Sequence, residues 1–435
     1  MKNSGVEWIG EIPDDWKVKR GKELFFEIND RCKNPENYPL LSVSEYYGVA
    51  PKSEKIDEGD FITHAETLDG YKICQKGDIV QNIMLAWKRA TGMSNYEGLI
   101  SPAYCIYRPY KSIDSKYYHY LFRTDVYANL FKQYSTGIID SRLRLYPAKF
   151  LSLKYAYPPK ETQQRIASYL DKKCSKIEET IQNQQQVIEK LKAYKQSLIT
   201  EAVTGKVKIV NGKACGEYES YKDSGVEWIG KIPSEWEVKK LKYIADTFLK
   251  GSGITKEEIV INGDTPCVRY GELYTKYDYH FTECQTRTNL EIIETPKYFS
   301  HGDVLFTCTG ELVEEIGKSI AYLGNERCLA GGDIIVLKHS QDPMFMGFAL
   351  DSKYVQGQKS FGKTKLKVVH ISSGEIARLL IVLPPKEEQK EIADYLDKKC
   401  TAIDTAIEQK QELIVKLTEY KKSLIYECVT GKKEI

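Results

Sequence analysis

From Ala167 one set of positions recurs at alternating steps of three and four: Ala167, Leu170, Cys174, Ile177, Ile181, Gln184, Ile188, Leu191, Lys195 and Leu198. All but Gln184 and Lys195 are apolar. This spacing keeps one narrow stripe on a helix and predicts a coiled coil. The stripe returns as Ala393, Leu396, Cys400, Ile403, Ile407, Lys410, Ile414, Leu417, Lys421 and Leu424, with its polar residues at the same two steps. A proline pair opens each stretch, Pro158-Pro159 and Pro384-Pro385, since proline is tolerated in the first turn and not beyond it. Glu161 and Glu387-Glu388 place negative charge at the positive end of the helix dipole. Gly205 and Gly431 are natural stops. Each predicted helix runs about 40 residues, about 60 Å.

The helices belong to a larger duplication. Ser4-Gly5-Val6-Glu7-Trp8-Ile9-Gly10 recurs letter for letter as Ser224-Gly225-Val226-Glu227-Trp228-Ile229-Gly230, and both copies run on through Ile-Pro to Trp16 and Trp236. Tyr169-Leu170-Asp171-Lys172-Lys173-Cys174 returns as Tyr395-Leu396-Asp397-Lys398-Lys399-Cys400. Between these frames, residues 25–150 and 245–376 share only short echoes such as Gly77-Asp78-Ile79 and Gly302-Asp303-Val304. One scaffold thus carries two dissimilar inserts. Either an old duplication has drifted, or the inserts read different ligands.

A narrow stripe needs a partner helix, and the other copy is the nearest candidate. Residues 206–222 hold Asn211-Gly212, Gly216 and several charges and read as a loop. Parallel helices would force this loop to retrace nearly a whole helix, which antiparallel helices avoid. The expected fold class is α+β: two mixed α/β domains with twisted sheets, joined by an antiparallel coiled coil with pseudo-twofold symmetry. The expected boundaries are 1–157 for the first domain, 158–205 for its helix, 206–222 for the linker, 223–383 for the second domain and 384–431 for the second helix. Gln184 and Lys410, near the middle of their runs, are expected to meet near the axis and fix the register. A coiled coil between two chains is the other use of such a stripe.

The chain has 435 residues, enough for two to four domains, and its net charge of +2 excludes a histone-like polycation. No apolar run approaches the ~20 residues of a membrane span, and Met1-Lys2-Asn3 opens no signal peptide. A cytoplasmic protein is expected. The 11 cysteines include no C-x-x-C pair and read as reduced, structural thiols.

No catalytic constellation emerges. Six residues separate Gly310 from Gly317-Lys318-Ser319, where a phosphate loop needs four. Asp14-Asp15-Trp16-Lys17 echoes a nuclease element, yet the second copy, Ser234-Glu235-Trp236-Glu237, lacks its lysine. No two histidines stand at i, i+4, so no metal pair is indicated.

Binding chemistry is better represented. Arg142 and Arg144 alternate ahead of the first helix, and Lys363, Lys365 and Lys367 alternate ahead of the second. Alternation fits a strand with one cationic face, suited to phosphates. Lys88-Arg89 after Trp87, Arg269-Tyr270, and Tyr46-Tyr47 complete the DNA-binding candidates, because Arg pairs bidentately with guanine and Tyr contacts bases or phosphates. Neither insert is broadly basic, so a partner is expected to complete the grip.

These features together resemble the specificity subunit of type I restriction–modification systems. The resemblance rests on the Ser-Gly-Val-Glu-Trp-Ile-Gly opening, on Leu383-Pro384-Pro385-Lys386-Glu387-Glu388-Gln389 with Ile392-Ala393-Asp394-Tyr395-Leu396-Asp397, and on the two-unit plan. Gly77-Asp78-Ile79-Val80 through Ser101-Pro102-Ala103-Tyr104 also resembles one variant of the family's target-recognition domain. The resemblance covers essentially the whole chain. It implies that each domain reads half of a split, asymmetric double-stranded DNA target and that the coiled coil sets the unread gap. It further implies two adenine-N6 methyltransferase subunits as partners, motor and nuclease subunits for cleavage, and S-adenosylmethionine bound by the methyltransferase. No cofactor, metal or catalytic residue is expected on this chain. The first copy departs from the family after its prolines, reading Lys160-Glu161-Thr162-Gln163-Gln164. A two-headed protein adaptor, the specificity subunit of a methyltransferase without a nuclease, and a stand-alone enzyme are the rival readings.

Overall fold

The computed structural model describes residues 1–32, 35–54, 68, 70–364 and 368–435. The chain divides into two compact units. Unit 1 comprises Met1–Gln184 with Gln411–Ile435, and unit 2 comprises Gln185–Lys410. The two long helices span Lys160–Val203 and Lys386–Val429, 44 residues each, or about 66 Å. The departure at Thr162 therefore does not shift the first helix start.

Within each unit two helix segments run antiparallel. In unit 1 the Lys421 amine meets the Glu178 carboxylate. In unit 2 Lys195 reaches Asp404 at 2.6 Å. These ion pairs are copies of one another, since Glu178 and Asp404 are repeat equivalents, as are Lys195 and Lys421. They also explain one polar step of the stripe. The Lys195 stem lies in the seam, only 8% of the residue is exposed, and its amine escapes to a carboxylate on the facing helix. Leu170, Cys174, Ile177, Ile188, Leu198, Leu396, Cys400, Ile403, Ile407 and Leu424 are buried. Ile181, Gln184, Leu191, Lys410, Ile414 and Leu417 are half-buried.

The frame recurs in both units as a two-stranded antiparallel ribbon. Lys17–Arg20 pairs with Lys154–Tyr157 in unit 1, and Glu237–Lys240 with Leu380–Leu383 in unit 2. A glutamine just inside each helix locks ribbon to helix. Gln163 donates to the Pro158 carbonyl (2.8 Å) and accepts from the Asp114 amide (2.9 Å). Gln389 repeats this with Pro384 (2.9 Å) and Asp342 (3.0 Å). Both are buried, so each lock satisfies polar groups that water cannot reach.

The inserts differ. Unit 1 holds a four-stranded antiparallel sheet ordered Phe25–Ile28, Tyr104–Pro109, Ile79–Asn82, Thr91–Met93. Its core is aromatic: Phe25, Tyr107, Tyr117, Tyr118, Phe122, Phe131, Phe150 and Tyr155 are all buried. Unit 2 holds a five-stranded sheet ordered Ala245–Lys250, Ile334–His339, Val304–Thr307, Ser319–Tyr322, His280–Phe281. Beside it lies a four-stranded sheet with one parallel pairing, Thr265–Val268 on Cys328–Ala330. The linker is not a plain loop. Ile209–Val210 pairs with Lys213–Ala214 across Asn211-Gly212, both at positive φ (51° and 68°), because Asn-Gly favours this hairpin turn.

Each unit closes on the end of a helix from the other repeat. Gly431 (φ 73°) lies on Pro13 and Trp16 in unit 1, and the Tyr117 hydroxyl donates to the Val429 carbonyl at 2.7 Å. Gly205 (φ 72°) lies on Pro233 and Trp236 in unit 2. A Cβ would stand 2.4 Å from the Pro13 ring at Gly431 and 2.3 Å from the Pro233 ring at Gly205. Gly431→Ala or Gly205→Ala should cost roughly 2–4 kcal/mol, the left-handed backbone and the crowded ring each contributing. Urea unfolding of each variant measures this, and an unchanged midpoint would show that the rings yield.

Candidate nucleic-acid interface

In unit 1 the exposed candidates stand on two turns tied to one residue. Leu41–Ser44 and Gly48–Pro51 form a hairpin with Tyr46 exposed at its tip. The Tyr47 hydroxyl lies 3.2 Å from Ser42 Oγ. The second turn, Ala86–Lys88, ends at Arg89, held at φ 68°. Arg123, at the end of the helix Ser115–Phe122, donates to both. Its guanidinium reaches the carbonyls of Tyr46 (2.8 Å), Glu45 (2.9 Å) and Ser44 (3.4 Å), and those of Arg89 (2.7 Å) and Thr91 (3.3 Å). Burial, with Arg89 adding repulsion, pulls its pKa down to about 10. Below the hairpin, His119 Nδ1 accepts from the Met93 amide at 3.2 Å. Burial, with Arg123 and Lys116 nearby, lowers its pKa to about 3, so the ring is neutral at ordinary pH.

Sequence reasoning missed Arg123 and His119. The available signal was a lone arginine inside an apolar, aromatic run, Tyr118 to Arg123, whose cation had to find acceptors off its own helix.

A cleft of about 950 Å³ within unit 1 brings together Tyr46, Tyr47, Arg89, Lys421 and Lys422. Arg89 is ion-paired with Asp125, and Lys421 with Glu178. Lys88 is exposed, its amine 5.4 Å from the centre of the Trp87 ring, which Lys132 also covers at 4.7 Å. Arg142 and Arg144 belong to a separate loop that joins the second turn through Leu145, whose amide donates to the Ile83 carbonyl at 2.9 Å.

The strand expected at Arg142 and Arg144 is not formed. Asp140–Arg142 makes a 3-10 turn, and Arg144 pairs with Thr136 as a single bridge. The outward alternation survives because Leu143 and Leu145 point into the core. Most of the strand expected at Lys363, Lys365 and Lys367 lies outside the described residues. Lys353–Ser360 is a helix, followed by a turn at Phe361-Gly362. Lys363 is not a free cation: it donates to the His370 carbonyl (2.6 Å) and to Glu375 (2.8 Å). That contact, with Ser372, holds the Glu375 carboxyl down to about 2. Lys365 and Lys367 lie outside the described residues. Lys359 is buried, its amine on the Gly317 carbonyl (2.6 Å) and Ser319 Oγ (2.7 Å), and burial pushes its pKa down to about 8.

Arg269 precedes the short helix Tyr270–Thr275, its amide capped by Glu272 at 3.0 Å, while its buried Nε has no partner. Tyr270 lines a cleft of about 680 Å³ with Tyr274, Lys318 and Lys353. Glu311, Glu314, Glu315 and Asp351 line it too, so its carboxylates outnumber its amines and it is poorly suited to phosphate. Among the described residues, no three His, Cys, Asp or Glu side chains are grouped to hold a metal, and no helix is long and apolar enough to cross a membrane.

With this geometry in place, the comparisons are consistent with one another. The type I restriction modification DNA specificity domain matches residues 233–415. The type I restriction enzyme MjaVIII specificity subunit of Methanocaldococcus jannaschii is 24% identical, covering 97% of this chain and 93% of its own. The EcoKI specificity subunit of Escherichia coli K12 is 21% identical over 97% and 90% of the two chains. Among solved structures, the HsdS subunit of Thermoanaerobacter tengcongensis aligns over the full length of both chains with a TM-score of 0.55 at 15% identity. A chain from a study of complex assembly in a type I R-M system gives 0.69 at 14% identity, covering 97% of this chain and 100% of its own. The chain has the fold of these subunits. Over nearly its whole length it is similar to type I restriction–modification specificity subunits.

The His119 environment predicts an acid sensitivity. Its folded pKa lies below the ordinary value of about 6.5, so the unfolded chain binds more protons between pH 6.5 and about 3. Stability from this group is complete above pH 6.5 and is lost as pH falls through that window, by about 1–2 kcal/mol at pH 5. His119→Asn keeps an acceptor for the Met93 amide without the titration. Unfolding curves at pH 7 and pH 5 should show a smaller acid loss in the variant; equal losses would place the titrating group elsewhere.

Proposed function

We propose that this chain is the non-catalytic DNA-recognition subunit of a type I restriction–modification complex, each unit reading one half of a split, asymmetric target. One observation carries the reading. Both units share the ribbon, the glutamine lock and the tryptophan-on-glycine closure, yet hold different sheets between them. A repeated frame with dissimilar inserts suits two different half-sites better than one ligand bound twice.

The readers fall within 1–157 and 223–383, and the helices Lys160–Val203 and Lys386–Val429 space them. Four cations near the candidate surfaces, Arg89, Arg123, Lys359 and Lys363, are used internally, and neither insert is broadly basic. Phosphate contacts set both affinity and its salt dependence, so this chain grips DNA weakly alone. Two methyltransferase subunits carrying S-adenosylmethionine complete the grip, and motor and nuclease subunits join for cleavage.

A base-resolution map of adenine methylation, in cells holding the methyltransferase with and without this chain, tests the reading. A gapped motif should appear only with the chain; no change with the partner bound would favour a protein adaptor. Exchanging residues 245–376 for another subunit's insert should alter one half-site and leave the other intact. Removing one heptad from both helices shortens them by about 10 Å, so the gap should contract by about three base pairs or activity should vanish. An active complex with its original gap would refute the helices' spacing role.

A further inference from the structure

Between its last two domain helices, Asp125–Gln133 and Pro147–Ser152, unit 1 builds a closed loop. Thr136 and Arg144 exchange backbone hydrogen bonds of 2.9 and 3.0 Å, and the Arg142 amide donates to the Ile139 carbonyl at 2.9 Å. Gly137 packs so tightly on the Arg142 backbone that a Cβ there would lie 2.6 Å from its carbonyl oxygen. Lys132 pins the loop's outer side through Asp140 at 2.8 Å. The loop is thus closed by its own hydrogen bonds and rooted by buried Leu143 and Leu145. Its tip is apolar: Ile138 is 100% exposed and Ile139 53%.

A loop free to collapse would cover two isoleucines; this one holds them out. Unit 2 repeats the device with different residues at the corresponding place in its chain. Phe361, 88% exposed, stands on the turn between Lys353–Ser360 and Ser373–Ile376. Gly362 (φ 67°) and a 3.1 Å hydrogen bond from the Lys363 amide to Ser360 fix that turn. Lys363 anchors it through Glu375, and Arg378 is exposed nearby.

We propose that Ile138-Ile139 and Phe361 are wedges that enter the DNA base stack, one in each half-site. The inference rests on the DNA-reading function proposed above and adds how the duplex is deformed. Protein-docking faces are contiguous apolar patches of a few hundred Å². Here the apolar groups are one or two projecting side chains. Those of unit 1 share their loop with exposed Arg142 and half-buried Arg144, and the adjoining turn carries exposed Lys88. Apolar fingers flanked by phosphate-seeking cations are the chemistry of a side chain that unstacks a base step and kinks the helix. The two tips differ in size and shape, so the two half-sites are deformed at different steps.

The test uses the full chain assembled with its methyltransferase partner on duplexes bearing the mapped target. 2-Aminopurine is placed in turn at each half-site position except the methylated adenine, which the methyltransferase itself would extrude. Wild-type complex should raise the fluorescence several-fold at one step in each half-site. Ile138→Ser with Ile139→Ser should abolish the rise in one half-site and weaken binding about tenfold; Phe361→Ser should do so in the other. Both variants should melt as wild type, since the changed side chains are exposed. A wild-type complex that binds its target without any rise, or variants that keep it, would overturn the wedge alone. Variants that no longer assemble with the methyltransferase would overturn it in favour of a protein contact. No gapped target at all would remove the DNA-reading function and the wedge with it.

Discussion

Gly431 has no room for a Cβ: the Pro13 ring stands 2.4 Å from where one would lie, with the Trp16 ring beside it. The same contact recurs at Gly205 with Pro233 and Trp236. Each unit is completed by the end of a helix whose start belongs to the other unit. The frame motif, its tryptophan and the helix stop are therefore one interaction written in three places. Neither repeat closes its own frame, so neither can be cut out along the chain as an independent domain. The antiparallel seams, with their paired Lys195–Asp404 and Lys421–Glu178 contacts, follow from this exchange.

The elements set by strong local chemistry were legible in the sequence. The heptad stripe, the proline pairs and the closing glycines give two 44-residue helices with no shift between copies. The letter-for-letter frame gives the duplication. What escaped depends on tertiary partners. Gln163 and Gln389 stand at the same step after each proline pair, but their worth comes from the Asp114 and Asp342 amides, distant in sequence. The alternation at Arg142 and Arg144 comes from a 3-10 turn and a single bridge rooted by buried Leu143 and Leu145, a loop whose closure depends on distant Thr136 and Ile83 rather than on a period of two. Asn211-Gly212 was legible as a turn and undervalued as a hairpin.

The candidate cations show why composition is a weak guide to a binding face. Arg123 spends its guanidinium on five carbonyls of two turns, and Lys363 spends its amine on Glu375. Both shape the surface and neither is free to meet a phosphate. The side chains they position, Tyr46 and Phe361, carry no charge. In each unit, a half-buried cation fixes a turn and a neutral group projects from it.

That division bears on how two different half-sites are read from one frame. A phosphate contact carries no sequence information, so cations could be lost or moved between inserts without changing what is read. Shape and apolar contact do discriminate, because base steps differ in how readily they unstack. The frame is duplicated almost unchanged, while the projecting groups differ in kind: isoleucines on a closed loop in unit 1, a phenylalanine on a helix-ending turn in unit 2. Under the proposed function, specificity lies where the copies diverge most, and the conserved locks hold that variable chemistry at a constant place in each unit.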